Sequence, residues 1–179
     1  MLAKILIALA VLLVVLAVVV ALQPSDFTVS RNIAVSAPAE AAYAQVNDFR
    51  KWAAWNPWGK LDPAMKQTYS GAESGVGAVY AWAGNNQVGE GRMTLTESVP
   101  NQRIRINLEF FKPFAATNTA EFTFQPEGDK TLVTWSMSGK NNFMAKAIGL
   151  VMSMDKMIGG MFEKGLADMK AIVESKSAP

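Results

Sequence analysis

Six short segments between residues 65 and 138 alternate apolar with polar residues, and clusters of turn-forming residues close them off. Few folds accept that pattern. The segments are 65–70, 78–83, 92–99, 103–111, 117–125 and 131–138, each read as a strand. Between them lie Gly71 to Gly77, Gly84-Asn85-Asn86, Pro100-Asn101, Lys112-Pro113 and Glu127-Gly128-Asp129. Connections this short and regular specify successive antiparallel hairpins. Arg103, Arg105, Asn107 and Glu109 share one side of their strand, with Ile104, Ile106, Leu108 and Phe110 on the other. Met93 and Leu95, Phe122 and Phe124, and Val133, Trp135 and Met137 continue the apolar side. A sheet with one wet face has one apolar face that something must cover.

The remaining segments supply a further strand and the cover. Residues 27–35 alternate as a strand. Ser36 reads as a helix cap, with Pro38 and Glu40 in the first turn and the helix running to Val46. Asp48 caps a second short helix that ends at Asn56-Pro57, because a residue before proline avoids helical geometry. Residues 142–175 turn to a helical period, with Ile158, Phe162, Met169 and Val173 as the apolar stripe. This predicts a short helix over 143–152 and a long one over 155–175. The fold class is α+β: a curved antiparallel sheet of about seven strands gripping a long C-terminal helix. Where the helix and the curved sheet part, the gap is an apolar pocket.

Ile5 to Leu22 has no polar residue. As a helix it reaches roughly 27 Å, enough for a bilayer core. It is longer than the apolar region of a cleaved signal peptide and no A-x-A site follows, which favours an uncleaved transmembrane signal anchor. Lys4 before the span places the N-terminus in the cytoplasm and the domain on the non-cytoplasmic, periplasmic or extracellular side. Gln23-Pro24-Ser25 breaks the helix. The expected organisation is therefore a membrane anchor and linker over 1–25, one domain over 26–175 and a flexible tail over 176–179.

The chain contains no cysteine and no histidine. Disulfides, thiolate nucleophiles, imidazole metal ligands and every triad with a histidine base are excluded. Neither a metal nor a cofactor is expected. The formal net charge is only +2 and no basic stripe is present, so nucleic acid is not an expected partner. Glu90, Glu97, Glu109, Glu121 and Asp155 form no pair forced together by spacing, which leaves a carboxylate dyad without support. Oligomeric state is not legible in the sequence.

The stretches KWAAWNPWGKLDP, VGAVYAWAGNNQVGEGRMTLTESVP, VTWSMSG and MDKMIGGMFEKGLADMK, with the order of elements, resemble the START-like (SRPBCC) helix-grip superfamily. That group includes pollen-allergen-like proteins, lipid-transfer START domains and the polyketide cyclase/dehydrase branch, to which these stretches are most similar. The resemblance covers residues 27–175 and implies an internal cavity. It implies no catalytic residue, because the polar cavity residues of aromatic-polyketide cyclases have no counterpart here.

Trp52, Trp55 and Trp58 place three of the five tryptophans in one short segment. They read as the end wall of a hollow core, with part of their surface turned to a guest. Strand parity, helical spacing and the implied cavity together nominate Trp55, Tyr80, Trp82, Phe110, Trp135, Met157 and Met161 as residues facing one interior space. Gly159-Gly160 inside the long helix reads as a site of close packing. The resulting expectation is a membrane-anchored domain that binds a small hydrophobic molecule, lipid or polyketide-like. A cyclase/dehydrase-like enzyme is the first alternative and a scaffold with a filled core the second.

Overall fold

The computed structural model describes residues 1–177, and the side chains of all of them except Met154, Lys176 and Ser177. Helix α1 (Leu2–Leu22) comes first, and Val20 is its one buried residue. The domain follows as β1 (Asp26–Val35), α2 (Ala39–Val46) and two 3₁₀ turns, Phe49–Ala54 and Pro57–Lys60. Then come β2 (Lys66–Gly71), β3 (Ala78–Ala83), β4 (Glu90–Val99), β5 (Arg103–Lys112), β6 (Ala116–Glu127) and β7 (Lys130–Lys140). The chain closes with α3 (Phe143–Gly149) and α4 (Met154–Ser177). Of the expected tail, Lys176 and Ser177 belong to α4, whereas Ala178 and Pro179 lie outside the described residues.

All seven strands form one antiparallel sheet in the order β1-β7-β6-β5-β4-β3-β2. The hairpins sit side by side as their short loops require, and the first strand returns beside the last, from Asp26 opposite Lys140 to Val35 opposite Thr131. This is the helix-grip architecture. Its register gathers Asp26, Lys140, Ala116, Lys112, Glu90 and Ala83 at one end of the sheet.

Ser36 does not cap a helix. Helix α2 begins three residues later, with Pro38 in the cap position, and the Ser36 amide donates instead to Glu174 Oε1 at 2.6 Å. The Asp48 cap is present, its side chain accepting from the Arg50 amide at 2.9 Å, but the segment winds as 3₁₀ rather than α-helix. Asn56 caps the next turn in the same way, accepting from the Trp58 amide with Pro57 at the first position.

The concave face carries the core. Leu95, Ile104, Ile106, Phe122, Val133 and Trp135 are buried beneath Phe162, Leu166, Met169 and Val173 of α4. The outer face carries the charges, with Arg92–Glu109 at 2.8 Å and Arg105–Glu121 at 2.6 Å across neighbouring strands. Helix α4 is tied to β1 by Arg31, whose guanidinium meets Asp155 at 2.9 Å and Glu163 at 2.6 Å. A side chain on Gly159 would occupy the space of that guanidinium, so the glycine lets Arg31 lie against the helix. Gly160 has open space around it, so close packing explains only one of the pair.

Candidate functional site

A cavity of about 280 Å³ opens between α4 and the concave face. The strands contribute alternate residues to its wall: Tyr80 and Trp82 from β3, Met93 from β4, Leu108 and Phe110 from β5, Ala120 from β6, and Trp135 and Met137 from β7. Helix α4 adds Ile158 and Phe162, and the tryptophan segment adds Trp52, Asn56 and Trp58. Met65, the 86–89 turn, Lys112 and Pro113 complete the lining.

The tryptophan segment is held where it is by its own polar edges. The last carbonyls of α2 have no partner within the helix. The Trp52 indole N–H donates to the Val46 carbonyl at 3.0 Å and that of Trp55 to the Gln45 carbonyl at 3.4 Å. The two rings sit 4.6 Å apart and present edges to Trp135. Trp135 in turn is sandwiched between Phe122 at 4.8 Å and Phe162 at 4.1 Å, both nearly parallel to it. Each offset or edge contact adds about 0.5–1.5 kcal/mol beyond area burial. The aromatic ladder therefore makes a stiff wall on one side of the space.

Of the nominated residues, Tyr80, Trp82, Phe110 and Trp135 meet around the cavity. Trp55 is wholly buried behind that wall and does not line it. Met157 is 48 % exposed, and neither it nor Met161 lines the space. The helical phase accounts for this correction. The buried face of α4 runs through Phe162, Leu166, Met169 and Val173, which puts Ile158 inward and leaves Met157 turned off it. Trp52 and Trp58, weighed as wall, do line the cavity. Met93, Leu108 and Met137 were legible as members of the apolar face, whereas nothing in the sequence marks the 86–89 turn or Lys112-Pro113 as rim.

The interior has little polarity. Burial, with a smaller contribution from neighbouring Tyr69, pushes the Tyr80 phenol up to about 12, so it stays neutral at ordinary pH. Its hydroxyl has no hydrogen-bond partner among the described residues. The Trp82 indole N–H is engaged by the Val88 carbonyl at 3.0 Å, which fixes the 86–89 turn over the opening. Lys112 lies at the rim, largely exposed and paired with Glu90 at 2.8 Å, and that hydrogen bond raises its pKa. Trp135 Nε1 is buried without a partner among the described residues. Among the described residues Tyr80 and Lys112 are the only ionisable groups in the lining, and neither exchanges protons readily near neutrality. No group of three acidic residues that could hold a metal ion occurs among the described residues.

Solved structures share this fold at low identity. A protein from Chromobacterium violaceum aligns with a TM-score of 0.60 and 17% identity, over 82% of this chain and 96% of its own. Norcoclaurine synthase from Thalictrum aligns at 0.63 and 10%, over 88% and 99%. The di-domain aromatase/cyclase of the steffimycin biosynthetic pathway aligns at 0.62 and 11%, over 86% of this chain and 52% of its own. No curated protein matches the chain. Residues 26–174, from the first residue of β1 nearly to the end of α4, match one family description, and by that match the chain belongs to the polyketide cyclase / dehydrase and lipid transport family.

Proposed function

We propose that this protein is a membrane-anchored binding domain for a small hydrophobic molecule, held between α4 and the concave face. The observation that carries the reading is the cavity: about 280 Å³ and aromatic-walled, with the neutral Tyr80 phenol and the buried Trp135 indole N–H among its few polar groups. That volume of about 280 Å³ falls just below the roughly 300–1,000 Å³ typical of ligand pockets. It suits a compact apolar body whose one polar group reaches Tyr80 or the rim amides of Asn56, Asn86 and Gln87. The family description, which includes lipid transport, agrees with a hydrophobic guest. An enzyme would need a positioned acid, base or nucleophile in the same space, and the lining residues favour binding over such chemistry.

Anchoring is the second part of the proposal. Helix α1 has a mean hydropathy of 3.6 and is almost wholly exposed, which suits a bilayer better than a protein core. A signal sequence passes the same test of length and composition. Lys4 ahead of the span supports placing residues 26–175 on the non-cytoplasmic side.

The test is to purify the full chain in detergent and analyse it by native mass spectrometry for a co-purifying molecule. Apolar ligands are then titrated while tryptophan emission is followed, since four of the five tryptophans line the cavity. A bound guest, with affinity reduced by Trp82→Ala or Phe110→Ala at little cost in stability, supports the reading. A cavity that takes no ligand, with both substitutions only destabilising, sinks it.

A further inference from the structure

Helix α3 is too short to hold itself together in water, since isolated helices below about 12–15 residues are marginal. Yet none of its seven residues is buried in the domain. Phe143 and Met144 on the helix, and Leu150, Val151 and Met152 in the turn that follows, are all exposed, Val151 by 83 %. Five exposed large apolar residues in ten positions mark a surface that some other apolar phase covers.

The chain trace indicates which phase. Lys146 on α3 donates its Nζ to the Ala21 carbonyl, in the last turn of α1, at 3.3 Å. The Asn141 amide, one residue before the α3 cap, donates to the Ser25 carbonyl at 2.7 Å. The patch is thus continuous with the point where α1 leaves the domain. Phe114, on the β5–β6 hairpin, is exposed at the same end of the sheet. The 86–89 turn and Lys112-Pro113, which line the cavity, lie at that end too. Lys140 and Lys156 flank the patch in sequence, and Lys146 lies within it. The acids at this end are Asp155, engaged by Arg31, Asp26, opposite Lys140, Glu90, paired with Lys112, and Asp62, which accepts from the Asn85 amide.

We propose that α3, the turn into α4 and the β5–β6 hairpin lie in the bilayer surface that α1 enters, so that the cavity opens onto lipid and exchanges its guest with the membrane rather than with water. The proposal rests on the anchoring reading above. Its ligand class is accordingly an amphiphile already partitioned into the bilayer. A short apolar helix that carries a lysine is suited to that interface, its side chains entering the headgroup–acyl boundary by about 5–10 Å.

The absence of cysteine makes the test direct, because any introduced cysteine is unique. The full chain is reconstituted into vesicles of equal parts phosphatidylcholine and phosphatidylglycerol, with or without bromine on the acyl chains. A fluorophore is attached in turn at Val11→Cys in α1, Val151→Cys and Phe114→Cys on the patch, Asn86→Cys on the rim and Asp129→Cys at the far end of the sheet. Brominated lipid is expected to quench the Val11, Val151 and Phe114 labels by about half or more, the Asn86 label less and the Asp129 label not at all. Adding Val151→Glu with Met152→Glu, both at exposed positions, should release the Asn86 label from quenching and leave the Val11 label unchanged. Quenching at Val11 with Val151, Phe114 and Asn86 as dark to lipid as Asp129 overturns the inference and leaves the anchor standing. No quenching at Val11 overturns the anchor, and the inference with it.

Discussion

The two ends of the concave face are built from the same sheet and the same helix, yet one is solid and the other hollow. Toward the C-terminal half of α4, Leu166, Met169 and Val173 meet Val35, Val46, Ile104, Phe124 and Val133, all almost completely buried. Toward its N-terminal half, Ile158 and Phe162 face Tyr80, Trp82, Met93 and Met137 across empty space. The difference lies in what fills the angle between helix and sheet. At the solid end α2 is packed in, and Glu174 and Lys170 bind Ser36 of the β1–α2 connection and Ala34 near the end of β1. At the other end only the two 3₁₀ turns of the tryptophan segment reach the space, and the Trp135 sandwich marks the boundary. The fold can leave one end empty because the other end is close-packed, and interiors tolerate few voids unless neighbouring packing supports them.

The largest expected effect is at the boundary. Phe122→Ala, at a site with no exposure, should cost about 3–5 kcal/mol in denaturant unfolding, as buried Phe truncations do. Trp82→Ala should cost clearly less, since one side of that ring already faces the cavity. Equal losses at the two positions would mean that the hollow end is as tightly packed as the solid one. Next come two glycines of α4. A side chain on Gly165 would come within 2.9 Å of Trp135 and 3.1 Å of Pro57, so Gly165→Ala should destabilise by about 1–3 kcal/mol. Gly160 meets nothing within 4 Å, so Gly160→Ala should raise stability by up to about 1 kcal/mol through helix propensity. The same sign at both sites would contradict the placement of the two helix faces.

Smaller still is Tyr80→Phe. The hydroxyl has no partner among the described residues, so stability at pH 7 should move by less than about 0.5 kcal/mol. Binding of a guest that accepts from the phenol should weaken about 2- to 12-fold, the worth of one hydrogen bond. The Tyr80 pKa is raised on folding. Its contribution is therefore complete below the unfolded value near 10 and is lost as pH climbs toward about 12. Ultraviolet titration should show its phenolate appearing late, and Tyr80→Phe should remove that step.

Acid should act on the ties of α4 and on the outer face. Hydrogen bonds from Arg31, Lys170 and Arg103 hold Asp155, Glu174 and Glu97 below their ordinary values. Groups depressed on folding contribute above the unfolded pKa and lose that contribution as pH falls through the folded one, here from about pH 4 downward. Arg31→Met should flatten the part of that acid dependence belonging to Asp155, measured as stability against pH. An unchanged profile would mean that the Arg31 tie does not hold the helix.

Much of the architecture was legible in the sequence, because short hairpin connections and one-sided alternation admit almost no other sheet. The strand over 78–83 and the starts of the 103 and 143 segments agree with the observed elements to the residue. The helix start at Ser36 was misread because its amide found a distant carboxylate, Glu174, that no local pattern announces. The site was legible only by half. Parity along a strand is unambiguous, so Tyr80, Trp82, Phe110 and Trp135 were identified together. Along the long helix the stripe through Ile158 and Phe162 was legible, but Met157 and Met161, each one position off that stripe, were nominated for the space in its place. Trp55 lies off the space for another reason: it closes the 3₁₀ segment with its ring packed 4.6 Å from that of Trp52, and Trp52 is the one that lines the cavity.

What the sequence alone determined was the kind of molecule. Periodicity made one apolar-faced antiparallel sheet and a covering helix, an unbroken apolar run made α1, and missing histidine and cysteine removed whole classes of chemistry. What only the tertiary structure decided was where the covering helix stops fitting the sheet. That depends on sheet curvature, on α2 filling one end and on Arg31 setting the height of α4 through Gly159. These are contacts between residues more than a hundred positions apart. Their geometry follows from the sum of all the packing around them, and a one-dimensional pattern carries local periodicity but not that sum.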